Sequence, residues 1–309
     1  MDKSSHWTQI KESGSLWSMR FLLYVYQNFG RISLQLFFYP IVIYYWFINK
    51  PIRQASQDYL NRLAIFAPKL KIHGNTFWGC KHFLAFADAI IDKIAAWSGL
   101  IKLPDVQFYG RDELISELKK GRGVILFGSH LGNLEVCRAI ADFDNTIKIN
   151  VLIHNKHAQK FNHIMQCVSD NSQVNVIQVT DVNVSTAILL NTKINNGELV
   201  IIAADRTPVD NKRRTTKVNF LGSEALFPQG PFILASLLKC PVYTVFCLKQ
   251  KGKHVIYFDH FSDLLKFSRK TREQDMQQIT QQYAEHLQNY CLEEPLQWFN
   301  FFDFWDINK

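Results

Sequence analysis

The amino-acid sequence predicts an α/β fold: a central, mostly parallel sheet flanked by helices, with an N-terminal membrane-associating helix. From about residue 105 onward, short β-rich runs alternate with helical stretches, which is typical of a parallel sheet covered on both faces. Before that point, residues 33–48 form one long apolar run. With 309 residues, nearly half of them hydrophobic, the chain can bury a sizeable core, and a disordered or fibrous chain is excluded.

The apolar run, SLQLFFYPIVIYYWFI, extends from Ser33 to Ile48. A membrane span needs roughly 20 apolar residues, so this run is at the short limit. Pro40 would kink a helix, and Trp46 suits a headgroup boundary. A buried core helix is the alternative, but we favour a helix that spans or lies in the membrane. We therefore expect an N-terminal membrane-associating segment over residues 1–50 and one compact domain over residues 51–309.

The net charge of +8 favours anionic partners, which include nucleic acid, acidic lipid headgroups and acidic proteins. The sequence contains neither zinc-finger spacing nor an aromatic–basic RNA-binding signature, so we expect no nucleic-acid partner. Its six cysteines are scattered, without a CxxC pair or metal-ligand spacing. This pattern indicates a reducing compartment and the cytosolic side of a membrane.

The elements follow in order along the chain. Apolar residues recur at helical spacing over residues 51–100, which predicts helices there. The segments predicted as strands are VQFYG, GVILFGS, KINVLI, VNVIQV, ELVIIAAD, PVYTVFCLK and HVIYFD. The segments predicted as helices are LEVCRAIADF, QKFNHIMQCV, STAILLNTKI, FILASLLK and an amphipathic stretch around residues 276–290.

The segment GVILFGSHLGNLEVCRAI carries the candidate chemistry, because it predicts a buried strand, a tight turn and a helix. His130 follows the strand, at the edge of a parallel sheet where ligands bind. Gly128 and Gly132 let the backbone turn there. His130 is suited to act as a base near neutral pH, and Glu135 is a carboxylate that could fix its tautomer. A histidine that serves only structure is the alternative.

Two other kinds of chemistry have weaker support. Ser129 is adjacent to His130, but without a GxSxG motif a covalent intermediate is not implied. Without an HExxH motif, and with the other histidines dispersed, we expect no metal site.

Four ordered blocks carry a resemblance to a known family. SHLGNLE, from Ser129 to Glu135, resembles the H-x4-D/E motif of the glycerolipid acyltransferase superfamily, and particularly its lipid A late acyltransferase branch (lauroyl and myristoyl transferases). The other three blocks are IIAADRT, VNFLGSEALFPQGPFILA and CPVYTVF. The YLNRL segment and the ending QWFNFFDFW resemble the lipid A-type acyltransferases associated with aryl polyene-type lipid pathways.

The resemblance implies a membrane-associated acyltransferase, with residues 51–309 as its catalytic domain. The donor would be an acyl-acyl carrier protein or acyl-coenzyme A, so the acyl carrier protein is an expected partner. The acceptor would be a hydroxyl of a glycolipid or lipid A-like membrane lipid, at the cytoplasmic face of the bacterial inner membrane. Neither a metal nor a redox cofactor is required. Gln229 stands where glycerol-phosphate acyltransferases carry a glutamate, which argues against a glycerol-phosphate acceptor.

The remaining candidate site residues are assigned to substrate binding. Arg206 follows a buried strand and, by the resemblance, contacts an anionic acceptor or carrier; a solvated basic loop is the alternative. Asn133 could hydrogen-bond in the turn or merely favour its geometry. Lys156 is a weaker candidate on a polar stretch. Phe227, Pro228 and Gly230 match the F-P-x-G core of the third block, where a backbone donor would lie near the acyl carbonyl; an ordinary turn before a helix is the alternative.

Two rival functions remain open from the sequence. One is a non-catalytic lipid-binding scaffold that keeps the fold, and the other is a thioester hydrolase that uses water as the acceptor. His130 and Glu135 argue against the scaffold, and the hydrolase would form product without a lipid acceptor.

Overall fold

The computed structural model describes residues 16–97, 100–101, 103–134, 136, 147–153, 174–178, 184–207 and 214–306. Three helices come first: α1 (Leu16–Ile48), α2 (Lys50–Phe66) and α3 (Thr76–Trp97). Helix α1 begins well before the predicted apolar run and is interrupted at Gly30, which has φ 75° and ψ −175°. Within the described residues, Tyr24–Ile48 is the one helical stretch long and apolar enough to cross a membrane, a criterion that core helices and signal sequences can also meet.

In the part of the chain that the structure describes, a seven-stranded sheet forms the centre of the molecule. The strands are β1 (Val106–Tyr109), β2 (Ile125–Gly128), β3 (Ile149–Ile153), β4 (Val174–Gln178), β5 (Leu199–Ala203), β8 (Val242–Gln250) and β9 (Lys253–Ser262). They lie in the order β1-β9-β8-β2-β5-β3-β4, and every neighbouring pair is parallel except the antiparallel pair β8–β9. The predicted mostly parallel sheet is therefore confirmed.

A two-stranded hairpin, β6 (Thr215–Phe220) and β7 (Ser223–Pro228), stands apart from this sheet and was not predicted. The later helices are α4 (Arg111–Leu118), α5 (Val184–Asn195), α6 (Gly230–Leu238) and α7 (Arg272–Glu293). Helices α5 to α7 confirm three predicted segments. The predicted helix QKFNHIMQCV lies outside the described residues, as does nearly all of LEVCRAIADF.

The sheet is buried on both faces, as expected of strands such as β2 in which every residue is buried. On one face, Phe127 of β2 packs against Phe232 of α6 and Tyr283 of α7, with ring centroids 5.1 and 6.0 Å apart. On the other face, Leu126 belongs to a second apolar cluster that includes Tyr243 of β8. Side chains therefore alternate between two cores along the central strand.

The N-terminal helices are joined to the remainder of the molecule through α3. Trp46 of α1 is fully buried and packs against Phe83 of α3, with ring centroids 4.7 Å apart. Arg31 of α1 forms salt bridges with Asp88 and Asp92 of α3. Side chains from both predicted segments, residues 1–50 and 51–309, thus pack against one another.

Candidate active site

The register of two neighbouring strands brings the candidate base next to a carboxylate. Strands β2 and β5 are parallel, with Gly128 opposite Ala203. His130 lies two residues beyond Gly128, and Asp205 lies two residues beyond Ala203. Both side chains therefore leave the sheet at the same edge, the carboxyl ends of the parallel strands, where α/β proteins bind ligands.

Asp205 holds His130 at two points. Nδ1 of His130 is 2.8 Å from Oδ1 of Asp205, and the backbone N–H of His130 donates to Oδ2 at 2.9 Å. The indole Nε1 of Trp298 also donates to Oδ2, at 3.1 Å. Although burial opposes ionisation of Asp205, its interactions with His130 and Arg206 lower its pKa to about 2.

This pairing determines which nitrogen of His130 is basic. An ionised carboxylate only accepts hydrogen bonds, so Nδ1 carries the proton and Nε2 carries the lone pair. Burial and the nearby charge of Arg206 lower the pKa of His130 below its ordinary 6.5, although Asp205 acts in the opposite direction. The imidazole is therefore neutral near pH 7. Since 37% of its side-chain surface is exposed, it can also be reached by a substrate.

Hydrogen bonds fix the turn that follows His130. The hydroxyl of Ser129 accepts from the backbone N–H of Leu131 at 3.1 Å, so this buried serine shapes the turn. Gly132 has φ 70° and donates its N–H to the carbonyl of Gln297 at 2.8 Å. The backbone N–H of Asn133 donates to the carbonyl of Cys247 on β8 at 2.9 Å.

A segment near the end of the described residues, 297–300, completes the site. The backbone N–H of Phe299 donates to the carbonyl of His130 at 3.0 Å, and Trp298 pairs with Leu131. The carbonyl of Trp298 is 3.0 Å from Nε2 of His82, a fully buried residue of α3. Because a carbonyl accepts, His82 carries its proton on Nε2 and accepts at Nδ1 from the hydroxyl of Ser56, 2.9 Å away. The Ser56–His82 pair therefore links α2 and α3 to the segment 297–300.

Two predicted binding residues lie beside His130. Arg206 directs its guanidinium to the carbonyl of Phe299, with an N–O distance of 2.7 Å, and lies over the ring of Phe302. Burial lowers the pKa of Arg206 to about 10, which leaves it charged at neutral pH. The side chain of Asn133 donates to the carbonyl of Ala89 on α3 at 3.2 Å. In the structure, both side chains thus have protein partners.

The predicted F-P-x-G core lies at the end of the hairpin. The ring of Phe227 is fully buried and packs against Tyr283, whose hydroxyl donates to the carbonyl of Gly128 at 2.6 Å. Pro228 ends β7, and Gly230 begins α6 with open space where a Cβ would lie. Phe227 is therefore linked through Tyr283 to the end of β2, the strand that precedes His130. The predicted residues Glu135 and Lys156 lie outside the described residues.

Sequence reasoning missed Asp205 as the partner of His130, and it missed the roles of Trp298 and His82. The sequence did contain a pattern that could have identified Asp205, because this residue closely follows a second buried strand of a parallel sheet. Trp298 and His82 gave no such signal, since their contacts depend on tertiary packing. Within the described residues, no group of three or more His, Cys, Asp or Glu side chains is arranged to hold a metal ion.

Comparison with known proteins identifies the family of the chain. No curated protein matches the chain. The family model for bacterial lipid A biosynthesis acyltransferases matches residues 83–306, which include the His130 turn, Asp205, the hairpin and the segment around Trp298. Since this match covers well over half of the chain, the protein is an acyltransferase that belongs to the bacterial lipid A biosynthesis acyltransferase family.

Proposed function

We propose that this protein moves a fatty-acyl chain from an acyl carrier protein or coenzyme A thioester to a hydroxyl of a glycolipid or lipid A-like acceptor. The observation that carries the proposal is the His130–Asp205 pair, 2.8 Å apart at the sheet edge. It supplies a neutral imidazole whose Nε2 can accept a proton near pH 7. General base catalysis by such a group is worth about 10²–10⁴-fold in rate.

In this proposal, Nε2 of His130 takes the proton of the acceptor hydroxyl while the hydroxyl oxygen attacks the thioester carbonyl. The ionised carboxylate of Asp205 stabilises the imidazolium that forms. The carbon–sulfur bond then breaks, an ester forms, and the imidazolium returns the proton to the departing thiolate. The products are an acylated lipid and the free carrier thiol, without a protein-bound acyl intermediate.

The remaining predicted residues keep their proposed roles around this pair. Arg206 provides a fixed positive charge for phosphate of the acceptor or the carrier, and Lys156 is a second proposed cation for that phosphate. Asn133 holds the turn, and the N–H of Gly230 at the start of α6 is a candidate donor to the acyl carbonyl. Glu135 remains a proposed catalytic residue. If it contacts the resting imidazole, it must do so away from Nδ1, because Asp205 occupies that nitrogen.

We place the reaction at the cytoplasmic face of the bacterial inner membrane. Support comes from the family and from the apolar helix α1, since little of its Tyr24–Ile48 stretch is buried. The acceptor is then a lipid already in the bilayer, whereas the carrier protein arrives from the cytosol.

The test uses the purified full chain with acyl-acyl carrier protein or acyl-coenzyme A and a bacterial lipid extract, analysed by mass spectrometry for a mass increase of one acyl group. His130→Ala and Asp205→Asn should each lower transfer by on the order of 10²–10⁴-fold while the protein stays folded. Glu135→Gln tests separately whether Glu135 has a catalytic role. His260→Ala is the matched control, since His260 forms an exposed pair with Asp263 at the opposite edge of the sheet, 3.0 Å apart.

Two outcomes would contradict the proposal. Folded His130→Ala with wild-type turnover would exclude the mechanism. Thiol release that is independent of added lipid would indicate a thioester hydrolase.

A further inference from the structure

Helix α1 presents two chemically different faces. Its outward face is a strip of exposed apolar and aromatic side chains, here called the apolar strip: Ile32, Leu36, Phe37, Tyr44, Phe47 and Ile48. The two most exposed, Leu36 and Ile32, retain 73% and 71% of their surface. A continuous patch of this kind on a protein surface marks an interaction site.

The inward face of α1, besides the buried ring of Trp46, carries polar side chains that are hydrogen-bonded to α3. Oδ1 of Asp88 accepts from Arg31 at 2.9 Å and from Gln35 at 2.8 Å, and its Oδ2 accepts from Tyr39 at 3.1 Å. Arg31 also reaches Asp92, which is bonded in turn to Lys249 of β8 at 2.8 Å. The middle of α1 is therefore tied to the catalytic sheet through charged groups.

These contacts make it costly for α1 to cross the bilayer. Arg31, Gln35 and Tyr39 all lie inside the stretch Tyr24–Ile48, so a crossing would carry Asp88 and Asp92 toward the hydrocarbon. Charged groups at that depth are costly even when they are paired.

The backbone break at Gly30 is a second argument against a bilayer crossing. It interrupts the helix inside that stretch, and no atom lies within 4 Å of the place where its Cβ would stand. A broken helix at membrane depth is tolerated only where protein or a water-filled cavity covers it.

The charge distribution identifies the partner. The segment from α1 to α3, residues 16–97, contains nine Lys and Arg side chains and three carboxylates, so it carries +6 of the chain's net charge of +8. Exposed lysines flank apolar side chains there, as at Lys50 beside Ile48 and Lys69 near Ile65. A surface that is both apolar and basic matches a bilayer with anionic headgroups.

We propose that α1 lies in the plane of an anionic membrane surface with the apolar strip in the lipid, and that it does not cross the bilayer. The inference builds on the proposed membrane location but not on the reaction. The catalytic domain is then held against one leaflet by the α1–α3 contact, and the site reaches lipids of that leaflet only.

The experiment measures the depth of single spin labels in the full chain bound to vesicles of phosphatidylethanolamine and phosphatidylglycerol. Labels are placed at Ile32, Leu36 and Phe47, with Gln277 on the exposed face of α7 as the water-exposed control. An in-plane helix puts all three at one shallow depth, roughly 5–10 Å below the headgroups. A crossing helix puts Leu36 near the bilayer centre, about 15 Å deep, and Phe47 near a surface.

A steep difference in depth between Leu36 and Phe47 would overturn the in-plane orientation and leave the membrane location standing. Labels that stay in water, with protein that does not sediment with vesicles, would overturn both. Self-association of that water-exposed protein would then assign the apolar strip to a second copy of the chain. Binding that requires phosphatidylglycerol and weakens with salt is the expected result. Acyl transfer is assayed separately on detergent-dispersed lipid. A failure of the proposed reaction can then be distinguished from a failure of the proposed membrane orientation.

Discussion

Arg206 and Asp205 are adjacent in the chain and act on His130 in opposite directions. The carboxylate favours the imidazolium, whereas the guanidinium disfavours it and, together with burial, keeps the resting imidazole neutral. A base must be neutral to accept a proton. Activity should therefore be constant around pH 7 and decline only as the pH falls through the lowered pKa of His130.

Arg206→Gln should raise the pKa of His130, because it removes a nearby positive charge. The acid limb of the pH profile of kcat/KM should then move to higher pH. Arg214→Gln is the matched control, since Arg214 is exposed. An acid limb that stays in place, or that moves to lower pH, would show that Arg206 does not set the protonation of His130. Because Arg206 also bonds to Phe299, thermal melts of both variants accompany the kinetics.

The candidate site was predictable from the sequence only in part. His130 could be placed because it follows a buried strand between two glycines. Its partner Asp205 could not be chosen over Glu135, because the choice depends on the β2–β5 register, which no local pattern specifies. Trp298 was visible as part of a family-like ending, but its bond to Asp205 depends on packing between segments far apart in the chain.

At the scale of the elements, the backbone of the turn that follows β2 is tightly constrained by its neighbours. Gly132 lies at φ 70°, and a Cβ built there would collide with the backbone carbonyl of Cys247 on β8. Its N–H also bonds to Gln297, so the backbone has no room to move on either side.

Gly132→Ala should therefore displace the turn and lower both stability and transfer. Gly197→Ala is a matched control, because Gly197 has a similar φ of 77° but open space around it. Strain at positive φ alone costs about 1 kcal/mol, so Gly197→Ala should lose roughly that amount and keep its activity. Gly132→Ala should lose more than this in urea denaturation. Equal losses in the two variants would show that the contact with Cys247 is unimportant.

The prediction of elements failed where the local signals were unusual. The hairpin β6–β7 turns at Leu221 and Gly222, both with positive φ. Leucine is rare in that conformation, so the turn lacks the Asn-Gly or Asp-Gly signal that marks most such hairpins. Helix α1 was predicted too short because its first half mixes polar and apolar residues, and its tertiary contact with α3 stabilises it beyond the apolar run.

At the scale of the whole molecule, Asp92 connects three parts of the structure. It lies on α3 and forms salt bridges with Arg31 of α1 and with Lys249 of the sheet. Asp92→Asn should destabilise the protein by about 1–3 kcal/mol, because both cations lose a charged partner at a buried position. Asp58→Asn is the control, since Asp58 forms a partly exposed pair with Arg62 on one helix, where such pairs contribute about 0.5 kcal/mol or less. If chemical denaturation gives equal changes for the two variants, the Asp92 network does not connect the parts energetically.

The fold class was predictable because alternating strands and helices permit few arrangements. The order of the strands was not. Strand β1 pairs with β9, which is far from it in the chain, and β9 runs antiparallel to its neighbour β8. Such pairings depend on how apolar surfaces from the whole chain pack together. The periodicity of a short segment carries no information about that packing.

The contacts of Trp298 also have a consequence for synthesis on the ribosome. His130, Asp205 and Trp298 emerge from the exit tunnel in that order, and the indole that bonds to Asp205 arrives last. Until then, the growing chain contains the apolar strip of α1 but lacks the indole that completes the contacts of the His130–Asp205 pair. In the proposed membrane orientation, attachment to the bilayer can therefore precede the assembly of this pair.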